Sequence, residues 1–171
     1  MGNYKPFFDL YGQVRLEIPA FQIRIREDSW LIGALHKALF LSRWHPHWID
    51  SYCTSLFHVL YMPDEIIGTP VGYVMLRQHL HHIRMWSSLG LLYGIFYLLV
   101  PPLRAYHELE AHKLAVEAQA ELLDGQVSKE TLRFYAGLFC DGSYLWMFPY
   151  REYIYERLLL HCVYKNIQLV D

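Results

Sequence analysis

Cysteine is too sparse here to build a site. The three, Cys53, Cys140 and Cys162, lie far apart. None belongs to a CxxC pair, so a cysteine zinc centre is not expected, and an odd number is poor material for a disulfide framework. Buried, inert thiols in a reducing compartment are the plain expectation. Charge is scarce as well: 19% of residues are charged against 54% apolar, with a formal net charge of −2. The lysines and arginines are dispersed, which argues against the clustered basic face of a nucleic-acid binder. No phosphate-cradling glycine loop occurs. The opening "MGNYKPFFDLYGQVRLEIP" has no continuous apolar core, so no secretory signal is expected. Position six is Pro6 rather than Ser or Thr, which weakens Gly2 as a myristoylation site.

A long hydrophobic run is also missing. Met85 to Pro102 carries no charge, but its clearly apolar part, Leu89 to Val100, is about a dozen residues where a spanning helix needs about 20. A buried core helix is the favoured expectation. Membrane insertion or a membrane-facing hairpin is the alternative, and Gly90 and Gly94 give a weak packing hint.

What is present reads as one domain over residues 1–171, long enough to bury a core. Residues 1–20 read as an N-terminal arm. "FQIRIRED" alternates Phe21, Ile23 and Ile25 with Arg24 and Arg26, a half-buried strand. "DSWLIGALHKALFLSR" suits a helix capped by Asp28 or Ser29 and stopped by Pro46. "IDSYCTSLFHVLYMP" reads as a bent strand or a tight two-strand unit ending before Pro63. A helix follows from about Pro70, then the apolar run. "LRAYHELEAHKLAVEAQAELLDG" is the strongest helix, with a stop at Asp124-Gly125. Ser128 starts another, and "REYIYERLLLHCVYKNI" is the last. The class is α+β, mainly helical, with a small N-terminal strand unit on a helical core.

The stretch "LRQHLHHIR" puts three histidines into four positions. Histidine is the commonest metal ligand and the usual acid–base near neutrality. At about 100° per residue, with Gln78 at zero, His82 lies about 40° away, His79 about 100° and His81 about −60°. A zincin helix carries H-E-x-x-H, two metal ligands at i and i+4 and a glutamate that activates water. "QHLHH" keeps that spacing with Gln78 in the first-ligand place and His79 in the place of the base. On the pattern alone, a histidine-rich exposed helix face is the plainer reading.

The order of several segments resembles a family of zinc metallopeptidase-like proteins of bacteria and tailed phages. The matching residues are Tyr52, Thr54, Tyr61 and Pro63 in "YCTSLFHVLYMP", then "LRQHLHHI". After these come Arg104, Glu108, Glu110 and Ala111 in "RAYHELEAH", and Trp146, Phe148 and Pro149 in "YLWMFPY". The likeness runs from about Phe21 to Leu158 and makes residues 21–158 a zincin-like, metallopeptidase-like core. It implies Glu108 as third metal ligand. His79, His82 and Glu108 could then make a rearranged two-histidine, one-carboxylate set suited to zinc, copper or nickel, if His79 swings about 60° around the helix from the usual ligand direction, and its imidazole could serve as base or ligand. Independently of the family, Glu108 and His112 share a helix face, as do Arg104 and Glu108, and a surface ion pair is the plain reading.

Weaker candidates are His45 and His47 in "WHPHW", Ser51, Ser55 and Ser143 without a nucleophile elbow, and Cys140 without a cysteine-enzyme signature. Three functions compete. The first is a degenerate metallopeptidase-like pseudoenzyme with no cofactor, non-proteolytic and binding a protein partner, with Tyr150, Tyr153 and Tyr155 as a contact and a phage virion as its setting. The second is a zinc-dependent peptidase or other metal-dependent hydrolase. The third is a small membrane-associated protein. An intracellular or virion-associated location is favoured.

Overall fold

A computed structural model describes residues 2–30, 32–34, 53–140 and 148–171. Most of the helix expected to Arg43, together with His45, His47, Ser51, Ser143 and Trp146, lies outside the described residues. The chain divides into two compact units, Met1–Gly90 and Leu91–Asp171. Helix dominates and the strands are three or four residues long, so the class is α+β, mainly helical.

In the first unit the stretch expected as an arm forms a helix, α1 (Lys5–Glu17), with Pro6 in its first turn. Phe7, Leu10 and Val14 recur at helical spacing and are buried, which explains it. The residues before it are tied down: Gly2 N–H donates to the Ile67 carbonyl (2.9 Å) and Tyr4 N–H to that of Gly68 (2.8 Å). The expected strand is β1 (Gln22–Ile25). The "two-strand" segment is a hairpin, β2 (Thr54–Leu56) and β3 (Val59–Met62). β3 is central, antiparallel to β2 and parallel to β1 with Gln22 opposite Val59. Leu60, Tyr61 and Met62 are consequently all buried.

A 3₁₀ turn (Asp64–Ile66) leads into α2 (Pro70–Leu89). Pro70 opens it, and the Thr69 hydroxyl accepts from Gly72 N–H at 3.1 Å, a side-chain cap. Gly72 sits where the helix passes the turn, and a Cβ there would lie 2.1 Å from the Ile66 carbonyl oxygen. Tyr73, Leu76, Leu80 and Ile83 are the buried stripe of α2. Across from it, Arg84 Nε and Nη2 donate to the two carboxylate oxygens of Glu17 at 2.9 and 2.8 Å, joining α2 to α1. α2 ends at Gly90, whose φ of +55° suits glycine.

The second unit begins with α3 (Leu91–Leu99) and α4 (Pro101–Leu122). The expectation of a buried core helix is corrected at α3. Of its residues only Tyr93 is buried, while Leu91, Leu92, Ile95, Phe96, Leu98 and Leu99 are exposed. Gly90 and Pro101 cut the apolar run to nine helical residues, which touch α4 through the Tyr93 side and leave the rest of the surface outward. Among the described residues no helix is long and apolar enough to cross a membrane. α4 is the hub: Ala105, Leu109, Ala111, Ala115, Val116 and Ala118 are buried along its length. It stops as expected, with Gly125 at φ +83° and its N–H on the Ala120 carbonyl at 2.8 Å.

β4 (Gln126–Ser128) pairs in parallel with β5 (Gln168–Val170). Neither was legible, since three residues are too few to show alternation. Ser128 ends β4 and caps α5 (Lys129–Leu138), its hydroxyl accepting from Thr131 N–H at 3.0 Å. α6 (Arg151–Tyr164) packs on α5 and α4 through Ile154, Leu158 and Cys162, spaced four apart.

Candidate functional site

The histidine stretch lies on α2, and its angular order is the one expected. Gln78 and His82, one turn apart, are buried at 6% and 5% exposure. His79 and His81, on the two flanks, are half-buried. The plainer reading of an exposed histidine face is therefore corrected: the centre of the cluster faces inward. The His79 and His82 ring centroids are 5.8 Å apart with planes inclined at 51°, and His81 lies 5.7 Å from His82. Two imidazoles sharing one zinc at about 2.0–2.1 Å from each nitrogen have centroids roughly 5–6 Å apart, so this spacing alone permits a shared ion.

Glu108, the implied third ligand, belongs to the second unit. With Arg104, His107 and His112 it forms a buried polar face of α4. The surface pairing expected there is corrected: Glu108 and His112 come within 3.9 Å, but both are buried. Arg104 makes no ion pair with Glu108, and its Nε is buried with no hydrogen bond. Spacing put these residues on one face, and that face packs against aromatic side chains, Tyr93 on His107, Tyr97 on Glu108, and Tyr135 and Phe139 on His112.

The Glu108 carboxylate is instead the acceptor of a local network. The Tyr97 hydroxyl donates to its Oε1. His112 Nδ1 lies 2.8 Å from the Glu108 backbone oxygen and 3.9 Å from its Oε2. A proton on Nδ1 satisfies that carbonyl, which leaves Nε2 as the acceptor nitrogen of the neutral ring. The Tyr93 and His107 rings meet edge to face with centroids 5.1 Å apart, and Tyr93 lies 5.6 Å from Tyr97. Burial pushes the Tyr93 hydroxyl far above its ordinary value, and the nearby Glu108 charge adds to this. Tyr135, edge-on to His112 at 4.9 Å, is pushed up to about 12 by burial. Both phenols stay protonated across the physiological range. Sequence reasoning missed Tyr93, Tyr97, His107 and Tyr135. The available signal for the first two was the i, i+4 pair Tyr93 and Tyr97, whose hydroxyls are the polar groups of an otherwise apolar run.

The other candidates carry less. All three cysteines are free thiols. Burial pushes Cys53 up to about 12 and raises Cys162, while the half-buried Cys140 donates to the Phe148 carbonyl at 3.1 Å. Ser55 lies within β2. Tyr150 and Tyr153 are exposed, with Arg157 over the Tyr153 ring at 5.7 Å. An open apolar cleft of about 740 Å³, lined by Phe7, Tyr11, Ile23, Ile25 and Tyr61, runs beside β1 in the first unit.

Among the described residues no group of three or more His, Cys, Asp or Glu side chains is arranged to hold a metal ion. The donors do not fit a zincin centre as they stand: an amide occupies the first-ligand place at Gln78, and the Glu108 carboxylate takes the Tyr97 hydroxyl. Comparison with known proteins finds no matching family model, no similar curated protein and no similar solved structure.

Proposed function

We propose that the chain is a non-proteolytic, metallopeptidase-like protein whose zincin-type polar residues now serve as internal hydrogen-bonding groups, and which acts as a protein-binding or structural component. The observation that carries this reading is the Glu108 carboxylate, the implied third ligand, buried and accepting from Tyr97. Gln78 in the first-ligand place and His79 in the place of the base point the same way, because an amide oxygen is a weak zinc ligand and the water-activating carboxylate is lost. A virion assembly is the setting that the sequence resemblance suggests. The exposed Tyr150 and Tyr153 are side chains of the kind enriched where proteins meet.

The test is elemental analysis of protein purified without added metal, paired with a peptide-hydrolysis assay with and without zinc. Zinc well below one equivalent, no hydrolysis and no change in His82→Ala are expected. Stoichiometric zinc that His82→Ala or Glu108→Gln removes, with hydrolysis that a chelator stops, would replace this reading with a metal-dependent hydrolase built on His79, His82 and Glu108.

A further inference from the structure

The apolar side chains of α3 are the residues least explained by the fold of the second unit. Leu91, Leu98 and Leu99 are 66%, 68% and 74% exposed, and Leu92, Ile95 and Phe96 about half. Contiguous apolar surface of this kind marks an interaction site in a soluble protein. The polar groups of the helix are turned away from it: Tyr93 is buried and Tyr97 donates to Glu108. No acid or base occurs in the sequence between Arg84 and Arg104, so the helix itself contributes no charge to the patch.

We propose that α3 is an interfacial anchor that lies in the plane of a lipid surface, with its aliphatic face in the boundary between headgroups and acyl chains. Two properties select lipid over protein. A nine-residue helix is about 13.5 Å long and about 10 Å wide, a face of a few hundred Å² at most. A second copy of the chain or another protein needs about 800 Å² from each side for a specific interface. A bilayer has no such threshold, since its apolar phase is continuous. Protein interfaces also favour Tyr, Trp, Met and Arg, whereas this face is leucine and isoleucine with a single phenylalanine. The same length is too short to span about 30 Å of hydrocarbon, so the helix lies on the membrane rather than through it. With no basic residue on the helix, attachment does not depend on anionic lipid or on salt. This inference is independent of whether the chain binds metal.

The test is flotation of the full chain with phosphatidylcholine vesicles at low and high salt. The wild type is expected to float at both, and Leu92→Glu/Leu99→Glu, which charges one exposed stripe, to lose about tenfold in partitioning while keeping its circular dichroism. A second readout does not rely on that variant. A polarity-sensitive fluorophore at Ile95→Cys shifts to the blue on adding vesicles, and one at Leu16→Cys, 86% exposed on α1, does not. Wild type that stays at the bottom of the gradient, a double variant that floats equally well, or a dimer in gel filtration that the double variant abolishes without any flotation each overturn the proposal.

Discussion

At the residue scale the most informative side chain is Glu108. A buried carboxylate is costly unless its oxygens are hydrogen-bonded, and Tyr97 supplies one such bond from the neighbouring helix. Tyr97→Phe keeps the ring and removes that donor. It is expected to cost about 1–3 kcal/mol in urea unfolding, the range for depriving a buried polar group of a bond. A loss under half a kilocalorie would mean that water replaces the hydroxyl, and that Glu108 is not held by Tyr97. The sequence made part of this legible. Gln78 and His82 sharing one side of α2, and Glu108 and His112 sharing a face of α4, both followed from helical spacing; that the Gln78 and His82 side is buried did not. The direction of the α4 face did not follow. Charged residues four apart look alike whether the face meets water or a tyrosine, and only packing decides.

At the scale of elements, capping and punctuation were the legible part. Pro70 opening α2, Ser128 opening α5 and Gly125 closing α4 stand where local chemistry puts them. α1 was not read from the sequence, because polar residues such as Asp9, Gln13 and Arg15 interrupt a stripe of only three apolar positions. α3 was read as helix but given the wrong surroundings, since hydrophobicity reports preference and not the available partner. The contact of α2 with the turn before it yields a sharp prediction. Gly72→Ala places a methyl 2.1 Å from the Ile66 carbonyl and 3.3 Å from the Phe7 ring. Helix propensity favours alanine by about 1 kcal/mol, but overpacking against backbone typically costs 1–3 kcal/mol, so a net loss is expected. A thermal scan in which Gly72→Ala melts at or above the wild-type temperature would contradict that close approach.

At the scale of the whole molecule, acid is the condition that weakens the fold, in two windows with one sign. The Arg84 guanidinium hydrogen-bonded to Glu17 holds its carboxyl below 4.5. A carboxyl lowered in the folded state stabilises above its unfolded value and loses this as pH falls through the folded one. Burial holds His161 below 6.5 against the pull of Glu117, 3.0 Å away. Folded His161 therefore binds a proton less readily than unfolded, so stability is full above 6.5 and falls below it. Melting temperature should decline on acidification in both ranges. His161→Gln is expected to flatten the slope just below 6.5, and Glu17→Gln the slope below 4.5. A wild-type melting temperature that rises on acidification through 6.5 would reverse the His161 assignment, and one that rises below 4.5 that of Glu17.

Both units also share a feature of chain order. Each has a parallel strand pair whose members are far apart in sequence, Gln22 with Val59 and Gln126 with Gln168. A ribosome adds about 5–20 residues per second, so β1 and β4 each wait roughly 2–8 s for their partners to be made. Neither sheet can close during that interval. The hairpin of β2 and β3 forms from neighbours, but the edges that β1 and β4 offer stay open in the nascent chain. Slowing translation between Gln126 and Gln168 would lengthen the exposure of β4 without altering a single contact in the finished protein.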